Sequence, residues 1–227
     1  YKFKATSPQQ YDSPELDWRI QGDIEHSSRL YFRSYLIPAL ENLKNKSVID
    51  IGSGVGQIFP TLLGLGASEI QGIEPSKRNV EHSKSLYPNI IVHQGTLQDF
   101  IHDKFFDVAI CLAVFEHIFD IKDAFSRIAK IIKPGGSFYL AIGDKDHNTK
   151  SHSNKQGFMI NIDVQELGDG VVATKTIYEE SILYDIFRPL QSVIETATQS
   201  GFELTKNIDM GLRGDQIAFH LLVFKRP

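Results

Sequence analysis

The chain has 227 residues, enough for one domain with a covering element and for a hydrophobic core that needs no covalent staples. Composition is that of an ordinary folded protein, 41% hydrophobic and 23% charged, and a net charge of −4 without a basic stripe argues against nucleic acid as a partner. The single cysteine, Cys111, excludes an internal disulfide and a cysteine-built zinc site, and no metal site is predicted; a reducing compartment follows, with the cytoplasm as the expected location.

Residues 1–46 are polar and aromatic at first, then helical in pattern. Ser13-Pro14-Glu15 reads as a helix cap, a proline at the first helical position and an acid in the first turn. From 24 to 43, Leu30, Tyr31, Tyr35, Leu36, Leu40 and Leu43 recur at helical spacing, interrupted by Pro38. Strand-like runs follow at 47–51, 69–74, 89–94, 106–112 and 137–142. Between them lie a helix capped by Ser76 and a helix over 123–132, the latter stopped by Lys133-Pro134-Gly135-Gly136. The run at 106–112 is nearly all apolar, as a strand covered on both faces should be. Alternating strands and helices imply a parallel, doubly wound sheet.

After Gly143 the rhythm breaks. Residues 144–157 are polar and read as a surface loop, and 158–187 as irregular apart from a strand-like stretch at 171–178. A helix over 189–200 ends at Gly201, and two strands close the chain at 202–208 and 216–224. No apolar run approaches the roughly 20 residues of a membrane-spanning helix. The N-terminus lacks a signal-peptide pattern, and a start at Tyr1 rather than Met is expected of a chain trimmed or cut from a longer one. No feature bears on oligomeric state.

The chemistry concentrates where the first strand ends, in Asp50-Ile51-Gly52-Ser53-Gly54-Val55-Gly56. A glycine-rich turn after a strand lets backbone N–H groups approach a ligand closely. A dinucleotide fingerprint would need a glycine at 57, where this chain has Gln57. Asp50 is unsuited to a pyrophosphate and suited to the ammonium of a bound amino acid. Glu74, at the end of the second strand, can accept hydrogen bonds from both hydroxyls of a ribose. A tight turn without a ligand and a solvated strand-end acid are the bland alternatives. The two features together favour a nucleoside.

In these residues the chain resembles the class I S-adenosylmethionine-dependent methyltransferases of small-molecule type. The resemblance runs over roughly 45–145 and again at the C-terminus. It is carried by Val48 to Gly56, by Gly72-Ile73-Glu74-Pro75-Ser76, by Phe106-Asp107-Val108-Ala109-Ile110-Cys111, and by Phe115-Glu116-His117-Ile118. Ile131-Ile132-Lys133-Pro134-Gly135-Gly136 and Gly201-Phe202 complete it. It implies a Rossmann-like, doubly wound, seven-stranded and mostly parallel α/β sheet with an antiparallel last strand and helices on both faces. It also implies S-adenosylmethionine as cofactor. Gly52, Ser53 and Gly54 would lie beside the methionine portion with Asp50 orienting it. Glu74 would hold the ribose with Pro75 packing nearby, Gly95, Thr96 and Leu97 would frame the adenine, and the Leu112 carbonyl would meet the amino group. Thr96 stands where many members have an acid, and Asp99 is a nearby substitute.

The reaction expected is transfer of a methyl group to an oxygen or nitrogen of a small-molecule acceptor. An acceptor of that kind can require removal of a proton. His117 is the candidate base, though it can equally serve to orient its loop. Substrate contacts are expected from the N-terminal segment, with Tyr11 and Trp18, and from the later insert, with His147, Tyr178, Tyr184 and Arg188. The expected organisation is one methyltransferase domain. An N-terminal helical cover (1–46) precedes a cofactor core (47–143), a substrate-side insert (144–188) and a C-terminal helix with a strand pair (189–227). A non-catalytic cofactor-binding module, an RNA or protein methyltransferase and a nicotinamide-dependent oxidoreductase are the competing readings.

Overall fold

The computed structural model describes residues 27–151, 160–178, 181–211 and 216–227. Its main sheet has seven strands in the order β3-β2-β1-β4-β5-β10-β9. These are β1 (Ser47–Ile51), β2 (Glu69–Glu74), β3 (Ile91–Gln94), β4 (Phe106–Leu112), β5 (Ile132–Gly143), β9 (Glu203–Gly211) and β10 (Ile217–Lys225). Strands β3, β2, β1, β4 and β5 pair in parallel, and β10 is inserted antiparallel between β5 and β9. The order reverses at β1, so the crevice at the carboxyl ends of β1 and β4 is the place where such sheets bind ligands.

One face carries α1 (Ser27–Ala39), α2 (Phe59–Gly64) and α3 (Lys77–Leu86). Leu36, Ala39 and Leu43 pack there with Val48, Phe59, Leu62, Ile110, Tyr139 and Leu221. The other face carries α4 (Ile121–Ile131) and α6 (Leu190–Gln199). It is filled by aromatic rings: Phe125 meets Phe115 at 5.0 Å and Phe138 at 6.1 Å, and Phe138 meets Phe202 at 5.8 Å, centroid to centroid. Alternation along each strand sends successive side chains to opposite faces, so Phe138 and Tyr139 serve different layers. Ser76 caps α3 by accepting from the Asn79 amide, as its position predicts, and Asp120 does the same for α4 through Asp123.

Three expectations change. Lys133-Pro134-Gly135-Gly136 is not a turn between elements but the first part of β5, a bulge opposite β4 where the register jumps between Phe106–Ile132 and Val108–Ser137. Its unpaired backbone is taken up by the chain's end, where the Arg226 amide donates to the Gly136 carbonyl at 3.0 Å. Residues 144–157 are not all loop, since α5 (Lys145–Ser151) begins them, with Asp144 Oδ1 accepting from the His147 amide at 2.7 Å. The stretch 158–187 is not irregular. It holds β6 (Ile160–Gly168), β7 (Val171–Tyr178) and β8 (Ser181–Phe187), an antiparallel sheet of their own. Strand β7 falls where the sequence placed it, at 171–178, while β6 and β8 on either side of it were not expected. Helix α1 ends one residue after Pro38, and the expected cap at Ser13 lies outside the described residues.

Gly136 tests the bulge. A Cβ there would stand 2.8 Å from the Lys133 carbonyl oxygen and 2.9 Å from that of Asp107, both backbone atoms that cannot swing aside. Gly136→Ala is expected to lower unfolding stability by about 1–3 kcal/mol in urea titration, the usual cost of overpacking.

Candidate active site

Strand β1 leaves the sheet through the glycine turn, and the turn is bolted to β2. The amides of Gly52 and Ser53 both donate to the Ile73 carbonyl, at 2.8 and 3.0 Å. Gly52, Gly54 and Gly56 all have positive φ, at 73°, 55° and 83°, where side chains are strained. At Gly52 a Cβ would also lie 2.3 Å from Val114 Cγ2, so the turn and the segment after β4 are in contact. Gln57, which stands in place of a third fingerprint glycine, brings its side-chain amide to 3.2 Å from where a Gly54 Cβ would be.

Glu74 sits at the hub. Its Oε2 accepts from the Gly54 amide at 2.9 Å, and its Oε1 accepts from the Ser76 amide at 3.0 Å and from Asn79 Nδ2 at 3.1 Å. The carboxylate therefore ties the turn to the start of α3 as well as facing the crevice end of β2. Asp50 is 4% exposed and Glu74 5%. Burial, and then the charge of Glu74, raise the Asp50 carboxyl to a pKa of about 7. Two buried acids at a turn of backbone amides form a set of acceptors for a ligand that combines positive charge with hydroxyl groups. S-adenosylmethionine has both, in its ammonium, its sulfonium and its ribose.

The remaining cofactor candidates divide. Leu112 closes β4 opposite Ala141, and Ala113 follows with φ of 53°, a left-handed backbone that alanine rarely adopts. That kink turns the chain across the ends of the strands and gave no signal in the sequence. Gly95 stands beside Glu74, its amide donating to the Glu74 carbonyl at 3.0 Å, and Pro75 is half-buried. Thr96 donates twice to Asp99 Oδ2, from its amide at 2.9 Å and from its hydroxyl at 2.7 Å. Those two bonds hold the Asp99 carboxyl below its ordinary range. Asp99 thus closes the turn after β3 instead of replacing an adenine-binding acid. Leu97 is 4% exposed and belongs to the core beneath the aromatic rings, so it is not an open shelf for the adenine ring.

After Ala113 comes a short 3₁₀ turn, Phe115–His117. Glu116 is buried, and its Oε1 accepts from the Gly143 amide at the end of β5. Burial pushes its carboxyl above the usual range. His117 Nδ1 lies 2.9 Å from Asp185 Oδ1 on β8. Neighbours on a strand face opposite ways, so Asp185, which β8 brings to His117, and Tyr184, the expected substrate contact, lie on different sides of the strand. Sequence reasoning missed Asp185 because its partner is 68 positions away, as the numbering of the pair shows.

Arg188 also takes a role other than the expected one. Its guanidinium donates to the carbonyls of Ile118 at 2.7 Å, Phe119 at 2.9 Å and Phe115 at 3.3 Å. It is a clamp on the 3₁₀ turn rather than a partner for an acidic substrate group. Burial, against the charges of Glu116 and Asp120, brings its pKa down to about 10. His147 lies on α5, Tyr178 ends β7, and Tyr11 and Trp18 lie outside the described residues. At the same edge, His220 stands between Asp209 Oδ1 at 2.9 Å and Asp144 Oδ2 at 3.1 Å, joining β9, β10 and the end of β5. Among the described residues, no group of three His, Cys, Asp or Glu is placed to hold a metal ion. No helix among them is long and apolar enough to cross a membrane.

Asp50 makes the stability depend on pH. Folding raises its pKa from 3.8 to about 7, so between these values the folded chain keeps a proton that the unfolded chain has lost. Its contribution to stability therefore falls as pH rises through that window, and the penalty is complete above it. Asp50→Asn is expected to unfold at higher urea concentration than the wild type at pH 8 and at nearly the same concentration at pH 4.

Residues 49–140 match a family model described as a methyltransferase domain. A mitochondrial ubiquinone biosynthesis O-methyltransferase of Dictyostelium discoideum is 31% identical over 45% of this chain and 37% of its own length. A ubiquinone biosynthesis O-methyltransferase of Rickettsia prowazekii is 27% identical over 81% of this chain and 73% of its own length. In several of the curated relatives the matched stretch spans only about half of their length. Among solved structures, an S-adenosylmethionine-dependent methyltransferase from Mesorhizobium loti superposes with a TM-score of 0.69 at 14% identity, covering 86% of this chain and 98% of that one. The reversal at β1, the antiparallel β10 and the glycine turn agree with these matches: residues 49–140 match a methyltransferase domain, and the fold is the one seen in solved S-adenosylmethionine-dependent methyltransferases.

Proposed function

We propose that the protein moves a methyl group from S-adenosylmethionine to an oxygen of a small-molecule acceptor. The observation that carries this reading is the pair of buried acids, Asp50 and Glu74, on either side of the glycine turn. Desolvation and mutual repulsion make the pair receptive to positive charge. An NAD pyrophosphate would bring two more negative charges to the same place. Oxygen is favoured over nitrogen because the curated relatives reported above are named as O-methyltransferases.

When bound, S-adenosylmethionine supplies a methyl group already made electrophilic by its sulfonium. The chain supplies alignment, exclusion of water and control of a proton. Gly52 and Gly54 would hold the methionine portion, Asp50 its ammonium and Glu74 the ribose. Gly95 and Thr96 would frame the adenine, Thr96 through the lone pairs of a hydroxyl whose proton goes to Asp99. His117, carried on the 3₁₀ turn after β4, would act as the base. The insert bearing β6–β8, with Tyr178 and Tyr184, and the N-terminal residues Tyr11 and Trp18 would select the acceptor. In this organisation one methyltransferase domain comprises the whole chain.

Titration calorimetry with S-adenosylmethionine, S-adenosylhomocysteine and NAD tests the cofactor. The first two are expected to bind and NAD is not; binding of NAD alone would overturn the reading. Glu74→Gln is expected to weaken S-adenosylmethionine binding by about 10- to 100-fold, the worth of a charge-assisted hydrogen bond. In assays with labelled cofactor and fractionated metabolites, His117→Ala is expected to lower turnover by on the order of 100-fold while leaving cofactor affinity close to that of the wild type.

A further inference from the structure

We propose that Gln57 is a cofactor-binding residue, its side-chain amide donating to the carboxylate at the amino-acid end of S-adenosylmethionine. The inference rests on the methyltransferase reading above and adds to it the group that meets the cofactor's negative end. Among the described residues 51–59, Gly52, Gly54 and Gln57 are half-buried and the others buried, so Gln57 carries the one side chain on the open face of the turn. On that face Gly52 meets Val114, from the segment after β4, which sets the face against the crevice between the ends of β1 and β4. The Gln57 carboxamide lies across Gly54, with Nε2 at 3.2 Å and Oε1 at 3.6 Å from where a Cβ would stand. No hydrogen bond ties that carboxamide to another described residue.

Glycine turns usually meet anions with backbone amides. Here those amides already donate within the protein: Gly52 and Ser53 to the Ile73 carbonyl, Gly54 to Glu74 Oε2, and Gly56 to the Ser53 carbonyl. The amino-acid end of the cofactor carries an ammonium and a carboxylate on one carbon. An ammonium drawn to Asp50 therefore brings an anion close to two buried acids, Asp50 and Glu74. Left without a donor, a carboxylate there would lose its hydration and meet only repulsion. The side chain on the open face is the donor that the backbone does not supply.

The choice of a neutral donor also follows from the two acids. A lysine or arginine in this place would cancel the field that draws the ammonium. A carboxamide supplies N–H groups with no net charge, so it can bind the carboxylate and leave Asp50 and Glu74 effective. The residue that breaks the dinucleotide fingerprint thus supplies a donor suited to an amino-acid carboxylate. A glutamine merely solvated beside a helix start is the plain alternative, and it gives no sensitivity to the carboxylate of the ligand.

The test is calorimetry with two ligands that differ at that carboxylate: S-adenosylmethionine and its decarboxylated form, which keeps the sulfonium, the ribose and the ammonium. Gln57→Leu is expected to weaken S-adenosylmethionine binding by about 10-fold, as loss of a hydrogen bond to a charged group does, and to leave the decarboxylated form within about twofold of its wild-type affinity. Gln57→Glu is expected to weaken S-adenosylmethionine further, by opposing like charges, without weakening the decarboxylated form. Equal losses for both ligands, or no loss for S-adenosylmethionine, would overturn the proposal. Nitrogen–proton NMR of the wild type decides without any variant. The Gln57 side-chain amide signal is expected to move on saturation with S-adenosylmethionine and to keep its free position with the decarboxylated form; equal movement with both would overturn the proposal. If neither ligand bound the wild type, the S-adenosylmethionine reading itself would fall, and the proposal with it.

Discussion

The site depends on how the end of β1 is closed onto the end of β2. One carbonyl, that of Ile73, takes the amides of Gly52 and Ser53, and one carboxylate, that of Glu74, takes the amide of Gly54. Consecutive amides can converge on a neighbouring strand only if the chain reverses within two residues, and that demands left-handed backbone at alternating positions. The same closure explains Gly72, where a Cβ would lie 2.6 Å from Ser53 Oγ. It also brings two acids into a dry crevice. Buried negative charge is costly there, and the cost favours a cation beside it.

How much could be read in advance follows from how local each cause is. The main strands were legible because apolar β-branched runs between glycines and helix caps repeat the same short rule; the bounds of β1, β2 and β4 fall where the sequence placed them. The glycine turn and Glu74 were legible because a ligand-approaching turn must sit at a strand end. In the β6–β8 sheet only β7 was legible, at its observed bounds; β6, which carries Asn161, Asp163, Gln165 and Glu166, did not read as a strand. Arg188 and Leu97 were misjudged for a related reason. A charged side chain near a pocket and an apolar one beside a turn look alike in sequence whether they face a ligand or the interior, and only tertiary packing separates them.

The two halves of the site answer to different physics. Around Asp50 and Glu74 the determinants are backbone amides and buried charge, both short in sequence and stiff. Around His117 they are long-range: Gly143 reaches Glu116, Asp185 reaches His117, and Arg188 gathers three carbonyls of the turn. The left-handed Ala113 is the joint between them, since its kink carries the chain from the cofactor end of β4 to the turn that bears the histidine. Backbone strain at such a joint persists only where the surroundings over-determine it, and contacts on both sides do so here.

The Arg188 clamp has a consequence for the way such a scaffold diversifies. An insert that merely hung over the crevice could be exchanged for another, and a new specificity would follow at no cost to the rest. Here the last strand of the insert supplies the carboxylate beside His117, and the residue after it supplies the guanidinium that holds the backbone on which His117 is mounted. Grafting a foreign insert would leave the core folded and its reactive turn unmoored. Under the proposed function, recognition and reactivity are then inherited as one unit, and a change of acceptor is made by altering residues within the insert rather than by replacing it.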